Sequence, residues 1–493
     1  MGSATGTRRG WRWIALVATA SIVSGSGFAY ASSESSTPQA WTVAPQVLPG
    51  QLNGVSCLGP NRCVAVGAKS TPGPLVEMGN GDNWTVTSAP SAGRTTLNAV
   101  SCISMKQCFA VGSSSSGGNA IPTVEGWNGE RWSIEPTPSP VGGSLIGVSC
   151  ATASSCVAVG GAGTSESLPL AEVWNGTRWA AVPTAPLPLD WSGMLRGVSC
   201  TSATDCFAVG STTPANLPML SLAERWDGVR WSIVSTPAQS FVSRELRAVS
   251  CVSATACVAV GDGSSNNGGD PLVERWNGSA WTIQSSPKHP HYFFSTTLLG
   301  VSCVSSFSCV AVGVATDENP RTEISRTWIE RWDGETWSPV ASPQPAGLHS
   351  SNWLSDVSCT SEHCEAVGYF TGGPVTSDTL RISGVIPRQS VSVSWTPAEN
   401  ARLQQVAAYL HAAAPATQKR AVYLVAYLLG LHPTPPTAAT LPTMGSAASY
   451  TTVWAPDELP VLDAVRTHYH LDAQGATRLS VYLLSYLLAL GGH

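Results

Sequence analysis

Charge is scarce in this chain. Of its 493 residues only 12% are Asp, Glu, Lys or Arg, against about 25% in an ordinary soluble protein. The net charge of -5 and a pI near 6.0 provide no general attraction for nucleic acid. Common catalytic signatures are also missing: there is no Gly-x-Ser-x-Gly elbow, no His-Glu-x-x-His and no phosphate-binding glycine loop. The repeated part described below has no regularly placed histidine, which argues against zinc as the reason for its cysteines. What remains is 43% hydrophobic residues, enough for a substantial core under a surface of Ser, Thr, Gly and Asn.

The first 31 residues have the zones of a secretory signal. Arg8, Arg9 and Arg12 precede an apolar run from Trp13 to Val23, and Ala29-Tyr30-Ala31 precedes Ser32. Residues 1–31 are therefore expected to be a signal peptide, and the protein secreted or associated with the cell envelope. The apolar run is too short and too interrupted to be expected as a lasting membrane anchor.

All 14 cysteines fall in a phrase, Leu-x-x-Val-Ser-Cys, a polar turn, Cys and a variant of Val-Ala-Val-Gly, that occurs seven times. Successive first cysteines lie 45, 48, 50, 51, 52 and 56 residues apart. Each pair sits on two short β-like runs, so its cysteines can face each other across a hairpin at disulfide distance. The expected bonds are Cys57 to Cys63, Cys102 to Cys108, Cys150 to Cys156, Cys200 to Cys206, Cys251 to Cys257, Cys303 to Cys309 and Cys359 to Cys364. Each closes a small loop whose entropy is worth roughly 2 kcal/mol.

The second half of each unit reads, in its fuller copies, apolar-Glu-Arg-Trp, Asn-Gly or Asp-Gly, two residues, then Trp with Ser or Thr, as in Glu224 to Ser232, Glu274 to Thr282 and Glu330 to Ser338. The Gly dipeptides predict tight primed turns. Tryptophan pairs such as Trp226/Trp231 and Trp276/Trp281 are expected to pack across the outer hairpin or between units. Four antiparallel strands in about 50 residues, seven times over, predict an all-β seven-bladed propeller. Trp41-Thr42-Val43 and Gln389 to Trp395 compete to supply the strand that closes the ring.

On these motifs the chain resembles the secreted propeller repeat proteins of actinobacteria, with a more distant similarity to kelch and Asp-box propellers, over about residues 38 to 396. Trp332-Asp333-Gly334-Glu335-Thr336-Trp337 matches the Asp-box only in part, because Gly directly follows Asp. The resemblance implies a β-propeller.

In such a blade the cysteine and Asn/Asp-Gly turns share one face of the ring. The variable loops share the other, where function is expected. Consecutive links there carry Trp191, Phe241, the run His289-Pro290-His291-Tyr292-Phe293-Phe294, and His349 with Asn352 and Trp353. Trp191, Phe241, His289, His291, Tyr292, Phe293, Asn352 and Trp353 are expected to form an arc that binds a glycan or an extracellular protein; the competing reading has them fold inward or seat the C-terminal part. His289 and His291 lack a third metal ligand. Asp262, Asn266 and Asp270 do not have the spacing of a calcium loop. No metal or cofactor is expected. Asp190, Glu245, Asp262, Asp317 and Glu318 are carboxylates on the variable side that a glycosidase could use, but none is marked by context, and no catalytic residue is assigned.

Near Thr396 the composition turns to Ala, Leu and Tyr. Thr396-Pro397-Ala398-Glu399 has the form of a capping box with Pro in the first turn. Ala401 to His411 pairs with Thr417 to Leu431, and Leu459 to His470 with Ala473 to Leu490, as two duplicated helical hairpins. The expected organisation is thus a signal at 1–31, a propeller at 32–396, and a helical domain at 397–493 with a linker at 433–456. His468 and His470 fall on different helix faces and read as surface residues. The apolar cores of these helices are too short to span a bilayer.

The function expected is that of a secreted, non-catalytic binding or scaffold protein. A sialidase-like glycoside hydrolase or lyase and an envelope protein docked through its helical tail are the alternatives.

Overall fold

The computed structural model describes residues 41–488 apart from 45–47, 81–82, 92, 117, 139–141, 164–166, 238–242, 266–267, 288–292, 318–323, 345–350, 361–362, 372–376, 386–388, 433–448 and 456–457. The signal expected at 1–31 lies outside the described residues.

The fold is mostly β, built of four-stranded antiparallel sheets as in a propeller, with four helices near the C-terminus. The first sheet takes its strands in chain order, Gly50–Cys57, Cys63–Lys69, Pro74–Asn80 and Asn83–Val86. Further sheets follow the same order, opening with Arg94–Ser104, Gly143–Thr152, Ser192–Ser202, Ser243–Ser253 and Phe293–Ser305. The fifth and sixth touch through one parallel bridge at Gly269 and Ser295. The last sheet has only three strands of its own, Ser351–Cys359, His363–Thr371 and Ser377–Val385, and its fourth is Thr42–Val43 from the other end of the chain.

That pairing decides between the two candidate closing strands. Trp41 lies over Gly384, where a Cβ would come within 2.6 Å of the indole, just as Trp84 lies over Gly79 in the first sheet. Gln389–Ser394 goes elsewhere and pairs with Ser449–Trp454. The stretch read as a linker therefore contains a strand.

Every cysteine pair is disulfide-bonded at directly opposed positions, with Cα atoms 3.9 to 4.1 Å apart. The serine before each first cysteine joins neighbouring sheets. Ser56 Oγ accepts from the Cys102 amide, Ser101 from Cys150, Ser149 from Cys200, Ser199 from Cys251, Ser250 from Cys303 and Ser302 from Cys359, at 2.9 to 3.1 Å. Ser358 accepts from Cys57 at 2.9 Å and returns the series to its start. The first strands meet so closely that side chains are excluded: a Cβ on Gly54 would lie 2.7 Å from the Ala99 Cα.

The tryptophans pack across the outer hairpins with ring centroids 5.5 to 5.9 Å apart. The inner member of each pair also donates its indole N–H to a carbonyl in the cysteine turn, as Trp127 does to Met105 O and Trp332 to Ser306 O. This places the two kinds of turn at the same end of the sheets. The Asn/Asp-Gly turns differ from the two-residue primed turns expected. Trp226 opposes Trp231, leaving a four-residue loop in which Asp227 Oδ1 accepts from the Val229 and Arg230 amides and only Gly228 has positive φ. The carboxylate satisfies the Val229 and Arg230 amides inside the loop, while the Asp227 amide donates to Arg230 O.

The helices are α1 (Pro397–Leu410), α2 (Ala414–Leu428), α3 (Leu459–Tyr469) and α4 (Ala473–Leu487). The capping box is formed: Thr396 Oγ1 accepts from the Glu399 amide, and the Glu399 carboxylate accepts from the Thr396 amide. The helices and the strand pair share one core, including Trp395, Leu403, Val425, Trp454, Leu462 and Val481. Among the described residues no helix is long and apolar enough to cross a membrane.

Candidate functional site

The repeat gives a baseline against which unusual residues stand out. On each inner hairpin, near the variable-loop end, one pair of opposed residues precedes the buried leucine. In most sheets it is small or weakly polar, as with Gln51/Ala68, Thr96/Ser113, Ser144/Gly161 and Thr297/Val314. The fourth sheet sets Met194 against Ser211, and two sheets depart further: Glu245 opposes Asp262, and Trp353 opposes Tyr369.

Next to the leucine each inner strand carries a bulge, since the register slips between Leu195 and Gly197 and between Leu246 and Ala248. The extra residue is freed from the ladder to aim along the inner wall. In the fourth and fifth sheets it is arginine. Arg196 Nε donates to Glu245 Oε1 at 2.5 Å, and Arg247 binds Glu245 Oε2 at 2.8 Å and Asp262 Oδ1 at 2.7 Å. Ser211 Oγ also donates to Glu245 at 2.9 Å. Glu245 is buried, whereas both arginines and Asp262 keep part of their surface open. In a chain so poor in charged residues, two arginines and two acidic side chains joined across two sheets form an array of donors and acceptors.

Trp353 stacks on Tyr369 with centroids 4.9 Å apart and planes inclined by 17°. Burial pushes the Tyr369 hydroxyl above its ordinary pKa. Three residues after Trp353, Asp356 stands where other inner strands have Gly or Ala. It accepts from the Val55 amide at 2.9 Å, and burial raises its carboxyl to about 7, against the opposing pull of the Val55 and Val357 amides.

Of the arc residues expected from the sequence, Trp191 is half-buried just before the strand Ser192–Ser202, and Trp353 is half-buried in its stack. Asn352 lies inward and not on an exposed arc. It is 1% exposed, because it shares the buried side of its strand with Leu354, at the level occupied by Thr95 and Thr296 in other sheets. Phe293 begins a strand. Phe241, His289, His291 and Tyr292 lie outside the described residues, as does Asn266.

Among the carboxylates, Glu245 and Asp262 come together, while Asp190 is exposed at φ 63° and Asp317 half-buried on another sheet; Glu318 is outside the described residues. Arg196, Arg247, Ser211 and Tyr369 were missed by the sequence reading. The available signal was the bulge position itself, which reads Asn53, Asn98, Ile146, Arg196, Arg247, Leu299 and Ser355 across the repeats while its neighbours barely vary.

A second carboxylate series is structural. Glu77, Glu125, Glu172, Glu224, Glu274 and Glu330 are all buried on third strands. Several accept from the link that enters their sheet: Glu172 from Thr137 Oγ1, Glu224 from the Ala185 amide, and Glu330 from Ser286 Oγ. Burial raises Glu125 to about 8, and raises Glu224, Glu274 and Glu330 to about 7 against the opposing contacts of Ala185, Arg244, and Trp328 with Ser286 respectively.

The helical unit touches the opposite, cysteine-turn end. Ser306 hydrogen-bonds the Asp463 carboxylate, and the Arg466 guanidinium lies 3.9 Å from the centroid of Phe307. The variable-loop residues described here therefore do not seat it.

No family model matches the chain, and no curated protein does. Among solved structures it is similar to YCF48 bound to a D1 peptide, at 12% identity and a TM-score of 0.46 over 72% of this chain and 97% of that one. It is also similar to a PL25 ulvan lyase, a polysaccharide lyase, at 10% identity and 0.46 over 68% and 94%, and to the Aleuria aurantia lectin in complex with Fucalpha1-6GlcNAc, at 14% and 0.39 over 61% and 98%.

Proposed function

We propose that the four-stranded sheets close into a seven-bladed propeller, and that this is an extracellular, non-catalytic protein which binds a glycan at the variable-loop mouth of its central channel. The observation that carries the reading is the break in the repeat at one level of the inner hairpins, where Arg196, Arg247, Glu245 and Asp262 lie on one side and the Trp353/Tyr369 stack on another. An aromatic face covers the C–H surface of a pyranose. Fixed charged donors and acceptors match its hydroxyls. Because both oxygens of Glu245 are held by guanidinium groups, it is poorly placed to act as a general acid, which favours binding over glycoside hydrolysis. Seven disulfides with no free cysteine among the described residues fit an oxidising compartment.

The test is to incubate the intact secreted protein with insoluble plant, fungal and bacterial-wall polysaccharides and to follow both retention and soluble products. Retention of unchanged protein without release of oligosaccharide is expected. Steady release of cleaved product overturns the non-catalytic reading, and absence of retention on every polysaccharide overturns the glycan reading.

A further inference from the structure

The C-terminal part repeats itself more fully than its helices alone suggest. Ser392 and Thr451 are 59 residues apart and face each other across the strand pair, with hydroxyls 3.1 Å apart. The same offset relates Trp395 to Trp454, Glu399 to Glu458, His411 to His470 and Lys419 to Arg478. A residue that pairs with its own equivalent in an antiparallel ladder lies on a two-fold axis.

The contacts between the halves are reciprocal in the way such an axis requires. Glu399 of the first half pairs with Arg478 of the second, and Glu458 of the second with Lys419 of the first. Arg478 lies 5.9 Å from the ring centroid of Trp395, and Lys419 lies 5.4 Å from that of Trp454. Both first helices end in a left-handed histidine, at φ 50° for His411 and 54° for His470.

The symmetry is broken where the second half meets the sheets. Asp463 and Arg466 make that contact, and their equivalents in the first half are Gln404 and Ala407. The sheet repeat is broken at the same place. Phe307, 3% exposed beneath Arg466, occupies the turn position held by Asn61, Lys106, Ser154, Thr204 and Thr255 in other sheets. Two unrelated repeats thus depart from their patterns at one shared contact.

We propose that residues 389–488 are a fused two-fold dimer of one strand-helix-helix unit, and that its second half is specialised as a latch, Asp463 and Arg466 on Ser306 and Phe307, seating the module on the cysteine-turn end of the sheets. The latch leaves the variable-loop end clear whatever ligand binds there.

Hydrogen exchange on the full secreted chain tests both parts. Phe307→Thr, and separately the pair Asp463→Gln with Arg466→Ala, borrow the residues found at equivalent positions. Each is expected to speed exchange in peptides 303–309 and 459–470 by about tenfold or more while leaving 397–428 protected. Glu399→Gln and Glu458→Gln are each expected to loosen both halves of the module and to leave 303–309 unchanged. Unaltered exchange at 303–309 in both latch variants overturns the latch, and loosening confined to the substituted half overturns the two-fold pairing.

Discussion

Ser358 Oγ accepts the Cys57 amide proton at 2.9 Å although 301 residues separate them, and it does so with the geometry that Ser149 uses toward Cys200 within the chain. The closing contact is thus chemically identical to the internal ones. Ser358→Ala and Ser149→Ala should each orphan one partly buried amide and cost about 1–2 kcal/mol, read as equal shifts in the urea midpoint of the oxidised protein. A neutral Ser358→Ala alongside a costly Ser149→Ala would show the ring to be open.

Closure also rests on Trp41, which fills the space above Gly384 and is nearly buried. Trp41→Ala should cost about 3 kcal/mol or more through the cavity it leaves. Trp395→Ala should lower the unfolding transition of the helical module and leave that of the sheets in place. Differential scanning calorimetry of the two variants separates these outcomes.

The buried glutamates predict an acid-favoured stability. Their folded pKa values lie above the ordinary 4.5, at about 7 for Glu224, Glu274 and Glu330 and about 8 for Glu125. Between those limits the folded protein holds protons that the unfolded chain has released, so stability falls as pH rises from about 4.5 to about 8. The melting temperature should be higher at pH 5 than at pH 8. Glu125→Gln, which removes the carboxylate that burial raises to about 8, should flatten that slope and gain at least about 1 kcal/mol at pH 8 relative to pH 5.

The sequence showed the parts of this fold that depend on local chemistry. Cysteines six residues apart can close only a hairpin, paired tryptophans flanking Asn-Gly or Asp-Gly mark the next one, and Thr396 with Glu399 writes a helix start. Contacts between distant segments were not legible. Thr42–Val43 and Gln389–Ser394 are both short β-like runs beside a tryptophan, and only their partners distinguish them. Ser449–Trp454 lies in a stretch rich in Thr, Pro and Ala, and its partner is some 60 residues upstream.

At the candidate site the limitation was one of register. Asn352 stands at the loop end of its strand but lies two residues before the buried Leu354 and so shares its inward side, and the bulge before Gly54 and its equivalents resets the alternation only beyond that point. The same bulge releases Arg196 and Arg247 toward Glu245, a contact that no linear spacing encodes. Set against their equivalents in the other repeats, Arg196, Arg247 and Phe307 are departures that no motif marks, and they join Glu245 and Trp353, which their place near the variable loops already marks.

The most direct test of the central claim is equilibrium binding of the intact protein to the polysaccharide that retains it, comparing substitutions at the two ends of the sheets. Trp353→Ala and Arg247→Ala, at the variable-loop mouth, should each weaken binding by about tenfold or more, while Lys106→Ala and Thr204→Ala, in the cysteine turns, should leave it unchanged. Loss of binding in the turn variants with full affinity in the mouth variants would contradict the account.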